Sequence, residues 1–583
     1  MSPLVRGWIR SGSIIGLRAG SVAIKDRSSM SNQARALLAV ALATIILFGA
    51  QFLLPGPRGP QAPSKKEPTS TTTTPTAPQR GEGVAVSGQP RGREAVPALP
   101  EREVVVETDV VRAVFSSRGG ALKSWRLNQY RIANGQGLEL VASPQDGLLR
   151  PLWTSSGNPE EPAPADFDAD KSQLSLRSAS DTGAITFSSR GGGPLQLSKR
   201  LTFKTNSYRV EVELFWKNTG KKPITITPEL AWGPGFYSGA GKQTAEAVSA
   251  TSWIDGRRVT DDLRSLKDPV THSGRVSWTA LQNLYFAAAL LPEGKDSVAV
   301  VRKAPEGQPV IALASSAQSI DPGGELIQRF AFYGGPKELD HLKAAGSDLS
   351  QLVDLGWFDA LARPALYLLR FLHRVSGNYG VAIILVALIQ KIVLHPLTVK
   401  SLRSMQAMKD LQPKIAAISE RNKNNATKKQ QEVMALYRKH GVNPLGGCLP
   451  MLLQLPIFVA LYNALSSSVE MWRAPFLWIN DLSRPDALFT VEMWGLKDYP
   501  FNLLALLMGA SMFFQQKMSP PSSSDPQQAK MMLWMMPTLF TFMFWNFPSG
   551  LVLYWLVNNV LQMGQQAWLQ RQGKLALSRP ETT

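Results

Sequence analysis

Tyr379–Leu397 reads YGVAIILVALIQKIVLHPL, apolar from Gly380 to Ile389 and interrupted by Gln390 and Lys391. A run of this length, at 1.5 Å rise per residue, crosses about 30 Å of hydrocarbon as a helix. The segment after it, 398–442, holds ten Lys or Arg against Asp410, Glu420 and Glu432. Positive charge beside a span marks the cytoplasmic side. This pair of segments makes the chain a polytopic membrane protein and fixes the direction of every later crossing.

Further apolar segments follow at 449–465, 501–514, 533–547 and 551–569. The intervening 468–500 carries five acids against three bases and suits the outer side. Residues 515–532, with Lys517 and Lys530, return inside. The Phe547-Pro-Ser-Gly turn faces out, and the tail 570–583 lies in the cytoplasm. Upstream, Ala36–Leu54 is uncharged and preceded by Arg6, Arg10, Arg18, Lys25, Arg27 and Arg35, which keeps the tail 1–35 inside. Pro55-Gly-Pro follows it instead of a small-x-small cleavage site, so the span reads as an anchor and not a signal peptide. Met30 leaves 1–29 as a possible upstream extension. The result is an α-helical polytopic protein of six transmembrane helices with both ends cytoplasmic.

Residues 55–100, rich in Pro, Gly, Ser and Thr, form a disordered linker. From 101 to 350 the pattern changes to short alternating strands (Val104–Thr108, Val110–Phe115, Leu201–Thr205, Tyr208–Trp216, Ile224–Pro228) parted by turns such as Arg118-Gly-Gly. Period-2 apolarity of this kind predicts an all-β antiparallel sandwich outside the cytoplasm. His272 and His341 are isolated in sequence, and no nucleophile–base motif or phosphate loop stands out, so docking or scaffolding is the expected role. Residues 355–374 place Asp359, Arg363, Arg370 and Arg374 on one helical face opposite Trp357, Leu361, Leu368 and Leu372, the pattern of a helix lying in the headgroup plane.

Of 583 residues 63 are Lys or Arg and 44 Asp or Glu, a formal charge of +19. The one cysteine, Cys448, permits no intramolecular disulfide, and it lacks neighbours for a metal site. Residues 398–420 and 427–440 have helical composition and predict a basic cytoplasmic hairpin; Lys409, Lys414, Lys428 and Lys429 are its candidate contacts to RNA, anionic lipid or a nascent chain.

Lys391 lies roughly 18 Å into the membrane by helical rise, and a cation there costs a few kcal/mol or more unless it meets water, a partner or headgroups. Snorkelling to the inner interface is one solution. Asn558, Gln562, Gln565 and Gln566 share a helical face, Gln454 and Asn463 add polarity to another span, and no Asp or Glu neutralises the lysine. A hydrated groove open to the cytoplasm, lined by Gln390, Lys391, Gln454, Asn463, Asn558, Gln562 and Gln565, accounts for the set. Lack of intramembrane acids argues against a proton pump, and lack of internal symmetry against a small-solute transporter or channel. Met508, Met512, Met531, Met532, Met535, Met536 and Met543 offer adaptable apolar surface.

Trp278…Tyr285-Phe-Ala-Ala-Ala, Leu411-Gln-Pro-Lys-Ile, Asn443-Pro-Leu-Gly-Gly-Cys-Leu-Pro, Gln454-Leu-Pro-Ile-Phe-Val-Ala-Leu-Tyr, Phe514-Gln-Gln-Lys-Met-Ser-Pro and Phe547-Pro-Ser-Gly-Leu-Val-Leu-Tyr follow one another along the chain and together resemble the YidC family of membrane protein insertases. The resemblance implies a Gram-negative inner-membrane insertase, not an enzyme and without cofactor or metal, with a β-supersandwich periplasmic domain and a five-helix core. It implies that Lys391 holds the position of a basic groove residue, often Arg; the ammonium keeps the charge but not the planar fork. It places a substrate slide on the third and fifth spans, with Leu452, Phe458, Met535, Met536 and Met543 assigned to it. Nascent membrane proteins, the Sec translocon and the ribosome are the implied partners, with no DNA.

Overall fold

The computed structural model describes residues 100–577, apart from 133–134, 142–149, 159–165, 179, 191–192, 237–247, 295, 306, 424, 443–448, 494–495 and 519–525. The expected tail 1–35, anchor 36–54 and nearly all of the linker lie outside the described residues, as does Cys448.

Leu195–Lys204 alternates strictly, with Leu195, Leu197, Lys199, Leu201 and Phe203 buried and their neighbours facing out. It pairs antiparallel with Arg209–Asn218, whose Val210, Val212, Leu214 and Trp216 are likewise buried. Two residues per pleat repeat put all these side chains on one face. The pair sits within a nine-stranded sheet that runs Arg257–Asp261, Ser249–Ile254, Val276–Gln282, Phe286–Pro292, Glu325–Pro336, Arg209–Asn218, Leu195–Lys204, Thr182–Ser189, Phe167–Ala169. Two five-stranded sheets cover it. Phe332 meets Trp125 of one, ring centroids 5.0 Å apart, and Trp232 of the other at 4.8 Å, so both lie against the same face of the long sheet. Lys199 is the exception to an apolar core: its Nζ is buried and donates to the carbonyls of Gly120 and Leu152.

A short helix, α1 (Leu339–Ala345), ends the β domain. Then come α2 (Asp359–Ser376), α3 (Tyr379–Val393), α4 (His395–Asp410), α5 (Gln412–Arg421), α6 (Ala426–Lys439), α7 (Leu449–Ser466), α8 (Leu503–Met518), α9 (Pro526–Phe544) and α10 (Ser549–Leu577). Helix α2 buries Ala362, Leu366, Leu369 and Leu372 against α3 and α7, and exposes Trp357 just before it, Leu361 and Phe371. Gly377, in the left-handed region, closes α2 by donating to His373 O at 2.7 Å; Asn378 then caps α3, its side chain accepting from Gly380 N at 2.8 Å. Two residues thus turn the chain from one helix to the next.

Among the described residues, the β domain is tied to the helices through Lys343 of α1, whose Nζ donates to Tyr367 OH of α2, through Arg370 and through an aromatic cluster. Arg370 of α2 donates to Glu338 (2.8 Å) and Asp340 (2.7 Å) of the β-domain end, and its Nε lies 3.3 Å from Glu470 beyond α7. Beside it, Tyr130 and Phe286 of the sheets meet Trp472 edge-on or tilted, with centroids 6.0 and 5.4 Å away.

Several boundaries differ from the sequence expectation. The span expected over 379–397 stops at Val393, and α4 turns off by 63°. Pro396 explains the turn: it lacks an N–H to continue the ladder, and its ring crowds the carbonyl four residues back. Lys517 lies in the last turn of α8 and Lys530 inside α9, so much of the loop expected at 515–532 is helical. Residues 468–500 include a hairpin strand, Phe489–Met493, paired with Leu496–Phe501. Among the described residues, no single helix is both long and apolar enough for a full crossing; α3 and α4 reach that length and apolarity only together.

Candidate functional site

Helices α3, α7 and α10 converge on a ring of three polar side chains. Tyr554 OH donates to Gln390 Oε1. Gln390 Nε2 donates to Gln454 Oε1 at 3.1 Å, and Gln454 Nε2 donates to Tyr554 OH at 3.1 Å. Each member gives one bond and receives one within the ring, so three helices are stitched by neutral groups.

Lys391 follows Gln390 on α3 and turns toward α10, where its Nζ donates to Gln562 Oε1 at 2.6 Å. The partner is an amide, not a carboxylate. One turn on, Gln565 Nε2 lies 2.8 Å from His395 Nδ1 at the α3–α4 bend. Toward the β domain the surroundings become apolar: Leu369, Ile383, Val386, Leu461 and Leu465 line a small void together with Tyr554. The polar set is therefore bounded by an apolar layer on one side and the hairpin α4–α6 on the other.

The structure brings together Gln390, Lys391, Gln454, Gln562 and Gln565 of the expected groove. Asn558 sits in the same row but bonds its own helix, Nδ2 to Tyr554 O at 3.0 Å. Asn463 is apart from them; it donates to Leu355 O at 2.8 Å, where the chain enters α2. Gln566 also turns away. It lies about 80° further round α10 than Asn558 at 100° per residue, and it donates to Met518 O at 2.8 Å, while Asn559 Nδ2 donates to Ser511 Oγ at 3.0 Å. Helix α10 thus presents two polar rows, one to α3 and α7, the other to α8. Tyr554 was legible in the sequence, since it extends the 558–562 row by one turn; its aromatic body hid it among apolar neighbours.

Of the residues assigned to the slide, Met535 is exposed and Met536 and Met543 are half-buried. Phe458 is 3% exposed, its ring edge-on to Trp555 at 4.5 Å, and so belongs to the helical core and not to an outward surface. Leu452 and Lys409 have side chains outside the described set. Along α9, Met531, Trp534, Met535 and Phe542 form an exposed apolar stripe with Lys530 at one end. In the hairpin, Lys414 and Lys428 are exposed and Lys429 is half-buried; Lys414 Nζ lies 3.3 Å from His440 Nε2, and Asn422 Nδ2 joins α5 to α6 through Glu432 at 2.9 Å.

Comparison with known proteins agrees on both halves. Residues 103–368 match the YidC periplasmic domain, and 371–576 match the 60Kd inner membrane protein family. The membrane protein insertase YidC of Pelobacter propionicus is 39% identical over 552 residues, 92% of this chain and 99% of that one. The insertases so named from Syntrophus aciditrophicus (35% over 556 residues, 92% of this chain and 99% of that one) and Geobacter sp. strain M21 (39% over 485 residues, 81% of this chain and 86% of that one) are similar. With a β domain, a helical core and nearly the full length of these relatives in common, the chain belongs to the YidC family of inner-membrane proteins with a periplasmic domain.

Proposed function

We propose that this protein inserts other proteins into the bacterial inner membrane, receiving a client's polar segment in a hydrated groove around Lys391 that opens toward the cytoplasm. The observation that carries the reading is a lysine held between α3 and α10 by a neutral amide, with no carboxylate against it among the described residues, next to a closed ring of neutral polar groups. An ammonium in that setting is stabilised by water and attracts acidic segments. Its place in a family whose relatives are named membrane protein insertases supports the same reading.

The work is transfer without covalent chemistry. A wet half-channel lowers the desolvation cost of a short polar segment, and burial of the client's own apolar helix drives the process. Six crossings with both termini in the cytoplasm put the hairpin α4–α6 on the side where nascent chains arrive. Its exposed lysines then meet the ribosome or anionic headgroups, and the Sec translocon is a partner for clients with large translocated domains. The exposed stripe of α9 is the path along which an apolar client helix slides into lipid. Helix α2 lies in the outer headgroup plane, with Trp357 and Phe371 toward the acyl chains.

Replacement Lys391→Glu in reconstituted vesicles tests this. Insertion of a single-span client with an acidic tail falls about tenfold or more, as charge reversal in a poorly screened site demands, while a client with a neutral tail is affected less. Equal yields from the variant and the parent for the acidic client would remove the electrostatic role of Lys391.

A further inference from the structure

We propose that the hydroxyl of Tyr554 is a positioning group that closes the inner end of the groove, holding Gln390 and Gln454 to each other so that water stops at Lys391. The inference rests on the groove reading above and adds where that groove ends.

Tyr554 is 1% exposed and reaches the ring from α10, while Gln390 comes from α3 and Gln454 from α7. The ring lies at a boundary. On α3, Val386 stands one turn before Gln390 and lines the apolar layer; Lys391 stands one residue after Gln390 and donates to Gln562. With the ring closed, each amide uses one donor and one acceptor on a protein partner and has little call on water. Removing the hydroxyl leaves Gln390 Oε1 without its donor and Gln454 Nε2 without its acceptor. Buried polar groups stripped of partners draw in water or separate. Either response admits water to the level of Val386 and lets a client's polar segment travel one turn too far.

The test uses the full chain in native membranes, in a Cys448→Ser background, with a membrane-impermeant maleimide added from the cytoplasmic side. Two single-cysteine reporters are compared, Lys391→Cys in the groove and Val386→Cys behind the ring. In the parent, position 391 labels and position 386 does not. Adding Tyr554→Phe, which keeps the ring's volume, raises labelling at 386 about tenfold, the change expected for losing roughly one to two hydrogen bonds from the closed state. Labelling at 391 stays the same. Tyr554→Phe combined with Gln390→Leu and Gln454→Leu, a wholly apolar layer, returns 386 to its unlabelled state. A merely structural tyrosine predicts no such rescue.

Unchanged labelling at 386 on Tyr554→Phe overturns the sealing role while leaving the groove intact. Failure of position 391 to label in the parent overturns the groove reading itself, and the seal with it. Persistent labelling at 386 in the apolar triple variant also overturns the inference, since a dry layer then fails to exclude water.

Discussion

Arg370 joins the β domain, α2 and the segment after α7 through one guanidinium, and Arg370→Gln is expected to loosen the β domain from the helices. Its three carboxylate partners are not equivalent. Asp340 is 61% exposed, so that pair is worth less than about 1 kcal/mol. Glu470 is 9% exposed against an Arg370 of 11%, and removing the cation strands a buried carboxylate at a cost of about 3 kcal/mol or more. Burial pushes the Glu470 carboxyl above the usual carboxylate range even with Arg370 present, so the stranded group relieves itself by taking a proton. The sign follows. A raised folded-state value favours the folded, docked form at low pH and penalises it as pH rises through that value, so the defect is small in mild acid and grows toward neutrality. About 3 kcal/mol corresponds to a docking equilibrium weakened on the order of a hundredfold. Spin labels at Asp321 in the β domain and Gly564 on α10, in a Cys448→Ser chain in nanodiscs, report it as a distance distribution. The parent gives one narrow distance; Arg370→Gln adds a broad population at neutral pH; adding Glu470→Gln restores most of the narrow one. A narrow distribution in Arg370→Gln, or a second substitution that worsens it, refutes the reasoning.

Burial lowers Lys199 and Lys337 from the ordinary lysine range to about 7. Between there and the ordinary value the unfolded chain binds protons that the folded one has released, so tryptophan-monitored stability rises with pH, and Lys199→Met removes roughly half of that slope. An unaltered slope shows that the lysine keeps its proton on folding. A Cβ on Gly509 would overlap Thr541 Oγ1 where α8 crosses α9. Gly509→Val is expected to cost about 1–3 kcal/mol and lower the thermal midpoint in detergent, and Thr541→Ala to recover part of the loss. A midpoint indifferent to both means that these helices pack with room to spare.

Apolar runs, charge bias and alternation determined what the chain is: a β-rich domain followed by apolar helices around a lysine with no acid in its own segments. These are local properties. Hydrophobic period sets which face is buried, and loop charge sets the expected orientation, without knowledge of neighbours. Tertiary structure decided which polar residues meet. Asn463 and Gln566 carry the same chemistry as Gln454 and Gln562 yet point elsewhere, because the angle around a helix and the choice of neighbouring helix come from packing. Lys199 falls on the buried face of its strand by alternation, and only the fold supplies the two carbonyls, from distant turns, that hold its ammonium there. Phe458 read as a surface for clients and proved to be packed on Trp555. Periodicity assigns a side chain to a face, but only the assembled elements say what that face touches, since hydrogen bonds and van der Waals contacts act over a few ångströms between residues as far apart in the chain as Trp125 and Gly334, 209 positions.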